Sequence, residues 1–214
     1  NEIRLFINKM KYLYVNGDSY TYGMDDKKFG TSIQNRWSTL VANEFNLVEV
    51  NDSENGSSNE EIVDRTLNWF ENNKDKWNNV LVLIGWTISV RQNKSWKDNE
   101  KLYANSDYYK FNYEMKNQIL LLQSFFKSNN ISYNFHIAFG ENPRDYIDDK
   151  LIDEEHFCDI SFMDYIKIKK SNFFIKSFFK INSQEETPGF YRHPTQEEHR
   201  LWFDYLKNRV GIII

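Results

Sequence analysis

A single cysteine, Cys158, stands in this chain of 214 residues, so no intramolecular disulfide framework exists and the core must hold the fold. That suits a reducing compartment. No uninterrupted apolar stretch reaches the length of a membrane span, and residues 1–16 lack the apolar centre and small-residue cleavage site of a signal peptide. The expectation is a cytoplasmic protein with no membrane span. A sustained Lys/Arg run is also missing, and the net charge is −4, which leaves no electrostatic footprint for nucleic acid. The four histidines and the one cysteine show no zinc-ligand spacing, so no metal and no cofactor is implied. Internal repeats and low-complexity tracts are absent as well. Heavy use of Asn, Lys, Ile, Phe and Tyr points to an A/T-rich genome, such as that of a low-GC bacterium or its phage.

What is present is an alternation of strand and helix periods. Tyr12 to Asn16 and Leu47 to Val50 read as short strands. The continuous apolar run Val80 to Gly85 is of the kind buried inside parallel sheets, and Tyr133 to Ala138 alternates as a strand. Between them, Asn35 to Asn46, Ser57 to Asn72 and Tyr108 to Lys127 place apolar residues at helical spacing, and a last helix spans about Thr195 to Asn208. Ser57 or Ser58 with Glu60 or Glu61 offers a capping box for the second helix. This pattern predicts one α/β domain over residues 1–214, a three-layer α/β/α sandwich around a doubly wound, mainly parallel sheet. Residues 1–9 form either an upstream extension or a short extra strand. The polar segment 91–107, carrying Trp96 and Tyr103, follows the third strand and reads as a lid or substrate loop. Within the charged and aromatic stretch 145–180, the run Phe173 to Phe179 reads as core helix.

Two segments carry chemistry. Gly17-Asp18-Ser19 follows the first strand directly, which puts a serine hydroxyl and several backbone N–H groups where α/β proteins bind ligands. Tyr191-Arg192-His193-Pro194-Thr195 lies just before the last helix, with Pro194 suited to a helical first turn. A serine hydroxyl is a poor nucleophile at neutral pH, and His193 is the base candidate that would take its proton. Structural roles are expected for His136 in a strand, His156 in a charged stretch and His199 on the last helix.

These segments, in this order, resemble the SGNH (GDSL-type) hydrolases, whose four blocks carry Gly-Asp-Ser, a glycine, Gly-x-Asn and Asp-x-x-His. The first block is met by Gly17-Asp18-Ser19 and the second by Asn55-Gly56-Ser57-Ser58-Asn59. The third falls at Gly85-Trp86-Thr87, with Thr87 in the asparagine place. The last keeps His193 but has Phe190 in the aspartate place. The resemblance spans about residues 12 to 207 and implies a flavodoxin-like SGNH hydrolase fold. It also implies a serine esterase acting through an acyl-Ser19 intermediate, with His193 as general base.

The oxyanion donors are then the backbone N–H groups of Ser19 and Gly56, with the Thr87 hydroxyl as a third, while Asp18 and Trp86 contact substrate. A backbone carbonyl, Glu185, Glu186 or Glu197 is left to orient His193, or the site is a Ser-His dyad. Implied substrates are small or carbohydrate esters: O-acetyl groups on sugar, or short acyl chains. Trp86, Trp96 and Tyr103 mildly favour a sugar. The alternative is a catalytically impaired module of the same fold that binds a glycan without turnover. A flavodoxin-like nucleotide binder would need a multiple-glycine phosphate loop after the first strand, which the chain lacks.

Overall fold

The computed structural model describes residues 10–24, 33–89, 91, 108–138, 150–174 and 193–213. Residues 1–9, the remainder of the expected lid with Trp96 and Tyr103, and Glu185, Glu186 and Phe190 lie outside them.

Four apolar runs form the sheet: β1 (Tyr12–Gly17), β2 (Val48–Asn51), β3 (Val80–Trp86) and β4 (Ser132–Ile137), in the order β2-β1-β3-β4 with every pairing parallel. Every residue of β3 is buried, as a strand covered on both faces requires, whereas β2 lies at an edge and stays partly exposed. The outer edge of β4 is covered rather than bare. Phe157 makes an isolated parallel bridge to Phe135, and the Cys158 N–H donates to the Phe135 carbonyl at 2.7 Å.

Side-chain alternation along the strands feeds two cores. Leu13, Val15, Leu81 and Leu83 pack against α2 (Trp37–Glu44), α5 (Phe162–Phe174) and α6 (Gln196–Ile213), through Trp37, Val41, Phe162, Trp202 and Leu206. Tyr14, Val82, Ile84 and Trp86 face the opposite way onto α3 (Asn59–Asn72) and α4 (Tyr108–Ser128), meeting Ile62, Phe70, Ile119 and Phe126. Each large apolar side chain fully buried this way is worth about 1.5–3 kcal/mol. The result is the expected three-layer α/β/α sandwich. A short helical turn, α1 (Ser19–Tyr22), follows β1 directly.

Helix starts are set by side chains. Ser58 and Glu61 form the capping box of α3: the Glu61 N–H donates to Ser58 Oγ at 3.2 Å, and the Ser58 N–H donates to Glu61 Oε2 at 2.7 Å. Thr195 and Glu198 repeat the device at α6, with the Thr195 N–H on Glu198 Oε2 at 2.6 Å and the Glu198 N–H on Thr195 Oγ1 at 3.4 Å. Thr195 is therefore the cap and Pro194 precedes it, one step outside the first turn that the sequence suggested for this proline.

Gly17 and Gly85 face each other in the register of β1 and β3. The Thr21 side chain fills the space they leave. A Cβ on Gly85 would lie 2.2 Å from Thr21 Oγ1 and 3.0 Å from His136 Nε2, and one on Gly17 would lie 2.3 Å from the same oxygen. Gly85→Ala is therefore expected to overpack the sheet at a cost of about 2 kcal/mol, lowering Tm by roughly 4–8 °C in a chain of this size. Thermal unfolding checks this. The same substitution in a Thr21→Ala background should cost clearly less, because the blocking hydroxyl is then gone.

Candidate active site

The turn after β1 is built by its own side chains. Asp18, in extended conformation, caps α1 by accepting the Tyr20 N–H on Oδ1 at 3.0 Å. Gly23, at φ 75°, closes the turn and donates its N–H to the Ser19 carbonyl at 3.0 Å. Ser19 is thereby fixed as the first residue of the turn, at the carboxyl end of an interior strand.

A carboxylate buried as completely as that of Asp18 must be compensated. Its Oδ2 accepts the Thr87 hydroxyl at 2.8 Å and pairs with the Arg91 guanidinium at 3.2 Å. Thr87 is in turn held by Asn59, the first residue of α3. The Thr87 N–H donates to Asn59 Oδ1 at 2.9 Å, and Asn59 Nδ2 donates to the Thr87 carbonyl at 3.1 Å. The ends of β1 and β3 and the start of α3 are thus cross-linked under the serine.

Three sequence expectations change here. The Thr87 hydroxyl has one proton to give and gives it to Asp18, so it braces the turn that carries Ser19 and has none left for an oxyanion. Asp18 has no exposed surface and both carboxylate oxygens engaged, so it supports the turn and does not reach substrate. Trp86 is fully buried in the core shared with α3 and α4, edge-on to Phe135 with ring centroids 5.5 Å apart, and offers no face to a sugar. Arg91 and Asn59 are the residues that sequence reasoning missed. Asn59 was visible as the last residue of the Asn55-to-Asn59 block, but nothing in the chain signals that its partner is Thr87.

Ser19 and His193 come to the same end of the sheet. The Tyr20 and His193 rings lie 5.7 Å apart, inclined at 52°, and Tyr20 also packs edge-on to Phe162 at 6.1 Å. His193 is half-buried. The Ser19 side chain is buried and makes no hydrogen bond to any described residue, His193 included. Gly56, on the loop from β2 to α3, is exposed at φ 83°, with nothing within 4 Å of where a Cβ would sit. The Glu54 N–H donates to the Gly17 carbonyl at 3.3 Å, so this loop lies alongside the strand end that leads into Ser19.

The other histidines are occupied elsewhere. His199 is buried, accepts the Trp37 N–H on Nδ1 at 3.4 Å and packs on Phe162; burial pulls its pKa down to about 3. Burial does the same to His136, also to about 3, where it contacts Trp37 and Trp202. His156 stacks on Tyr133 and bonds Asp153 through Nδ1 at 2.9 Å. Among the described residues, Asp153, Glu155 and His156 are the group whose ligand atoms converge as a metal would need, but the Lys127 ammonium sits 2.6 Å from Asp153 Oδ2 and already neutralises that carboxylate. Glu197, a candidate acid, is exposed on the first turn of α6. No helix among the described residues is long and apolar enough to cross a membrane.

No family model matches the sequence, and no curated protein does. Solved structures do. The chain is similar to the psychrotrophic esterase EstA of a Pseudoalteromonas species, in a form inhibited by monoethylphosphonate. The identity is 14%, the TM-score 0.53, and the match covers 94% of this chain and 97% of that one. It is likewise similar to a protein described as a GDSL-like lipase from Parabacteroides merdae, at 14% identity and TM-score 0.52, over 95% and 98% of the two chains. At such identity the likeness shows the fold: an SGNH/GDSL hydrolase-like α/β sandwich over nearly the whole chain.

Proposed function

We infer that the protein is a serine ester hydrolase acting on small esters. The observation carrying this reading is the Ser19 hydroxyl, unbonded among the described residues at the end of β1, with the His193 ring against the neighbouring Tyr20. In the reaction, His193 takes the Ser19 proton as Oγ attacks the ester carbonyl, and the negative charge passes to the carbonyl oxygen. The N–H groups of Ser19 and Gly56 stabilise that oxyanion. Collapse expels the alcohol, which takes the proton from His193 and leaves acyl-Ser19. Water, deprotonated by the same histidine, then releases the acid. The acyl group is small, an acetyl or short chain, and the alcohol is a carbohydrate or another small hydroxyl compound.

One observation favours a second reading. With Thr87 committed to Asp18, the site has two backbone donors where the resemblance implies three, which suits a module that binds a glycan ester without turnover. A fluorophosphonate separates the readings, and the phosphonate-inhibited esterase of the same fold makes it an apt probe. Stoichiometric labelling is expected at Ser19 by mass spectrometry and should be lost in His193→Ala. Folded protein that takes up no label would overturn the esterase reading in favour of the binding one.

A further inference from the structure

We propose that Arg65 is the positioning residue of the oxyanion-binding loop, aligning the Gly56 N–H with the Ser19 turn. The inference rests on the esterase reading above. Gly56 has no side chain of its own to anchor it, and the open space at its Cβ position shows that no neighbouring group packs against that side. The direction of its N–H therefore depends on the residues that bracket it.

Those brackets converge on one guanidinium. Arg65, from the second turn of α3, donates from Nε to the Asp52 carbonyl at 3.0 Å, on one side of Gly56. It donates from Nη2 to Ser57 Oγ at 2.6 Å, on the other. Nη1 pairs with Glu54 at 3.4 Å. Ser57 passes the constraint on, since its hydroxyl donates to the Glu54 carbonyl at 3.0 Å. Nη2 also reaches Asn16 Oδ1 at 3.4 Å, and that same oxygen accepts the Gly17 N–H at 2.8 Å, two residues before Ser19.

Asn16 is itself immobile. It is fully buried, and its Nδ2 bonds the Ile62 carbonyl at 3.0 Å and Thr66 Oγ1 at 2.9 Å. Arg65 thus joins the loop that supplies one donor to the strand end that supplies the other. The forked, planar guanidinium holds a backbone carbonyl, a hydroxyl and an amide oxygen in one fixed geometry, which a lysine's compact ammonium on a flexible stem does not reproduce.

Removing one donor from an oxyanion site costs on the order of 100-fold in rate. Arg65→Ala should therefore lower kcat for p-nitrophenyl acetate about 100-fold while KM stays within about threefold, because the loop acts on the transition state and not on the bound ester. Arg65→Lys should recover little. The rate of fluorophosphonate labelling at Ser19 should fall in proportion to kcat. Ser57→Ala, which deletes the 2.6 Å acceptor and leaves the guanidinium in place, should move kcat the same way by about tenfold, and it decides the matter should Arg65→Ala fail to fold. Wild-type kcat and labelling rate in folded Arg65→Ala, or in Ser57→Ala where that variant does not fold, would overturn the proposal. A wild-type protein that neither labels nor turns over would instead overturn the esterase reading on which it rests.

Discussion

Ser19→Ala is expected to remove at least about 1,000-fold of kcat toward p-nitrophenyl acetate while leaving Tm within about 2 °C of wild type. The two halves of this expectation have separate origins. The rate loss follows from the proposed mechanism, in which Ser19 Oγ alone would form the acyl intermediate; in well-built serine enzymes deletion of nucleophile or base costs on the order of a million-fold. A site whose Thr87 hydroxyl is committed to Asp18 has a smaller rate enhancement to lose. The unchanged stability follows from the environment: the Ser19 side chain bonds no described residue, so alanine strands no partner. The turn itself is held by the Asp18 cap and the Gly23 closure, which alanine leaves untouched. His193→Ala should lose a similar factor, and the double variant little more, because nucleophile and base act as one unit. Steady-state kinetics on the three variants checks this, and a Ser19→Ala protein with wild-type kcat would sink the mechanism.

The same turn shows where sequence reasoning reaches and where it stops. A strand followed by Gly-Asp-Ser is local, and so is the capping logic that makes Asp18 an N-cap; both are read from a few consecutive residues. The apolar run of β3 and the helical stripes of α3 and α4 are equally local, which is why the layers of the sandwich were legible. The partner of a hydroxyl or a carboxylate is not local. Thr87 meets Asp18 only because β1 and β3 are paired in a register that sets Gly17 beside Gly85, and Arg91 reaches the same carboxylate from beyond the strand end. Trp86 misled for a related reason: at the end of a strand buried on both faces, alternation sends its ring into the core. Arg65 lay inside a helix read only for its apolar stripe, and its polar face bears on the loop. The Thr195-x-x-Glu198 box, by contrast, was a signal in plain view.

Acidification should destabilise this protein steeply, and two histidines account for most of the effect. His136 is fully buried among Trp37, Trp202 and the end of β3, and both its ring nitrogens lack hydrogen-bond partners among the described residues. His199 is buried and uses Nδ1 as an acceptor for the Trp37 N–H, a role open only to an unprotonated nitrogen. Burial holds both near a pKa of 3. For His199 the nearby Glu198 opposes the shift, while Arg36 and His193 add to it. The ordinary histidine value is 6.5.

The sign follows from linkage. Between pH 6.5 and 3 the unfolded chain binds protons that the folded chain refuses, so the stability is complete above about pH 6.5 and falls as pH drops below it. Each histidine contributes a slope of about 1.4 kcal/mol per pH unit, the pair about 2.7. Over the two units down to pH 4.5 the loss approaches roughly 5 kcal/mol, comparable to the whole stability of many domains. Asp153, held below the usual carboxylate range by Lys127 and the His156 and Tyr133 contacts despite partial burial, loses its contribution only at still lower pH and so steepens the acid end.

Urea unfolding at a series of pH values between 7.5 and 4.5 should show this slope. His199→Asn keeps an acceptor oxygen for the Trp37 N–H and should remove about half of it, whatever the variant costs at neutral pH; His136→Asn should remove the other half. A double variant whose stability falls with pH as steeply as the wild type would show that the buried histidines are not the groups being titrated.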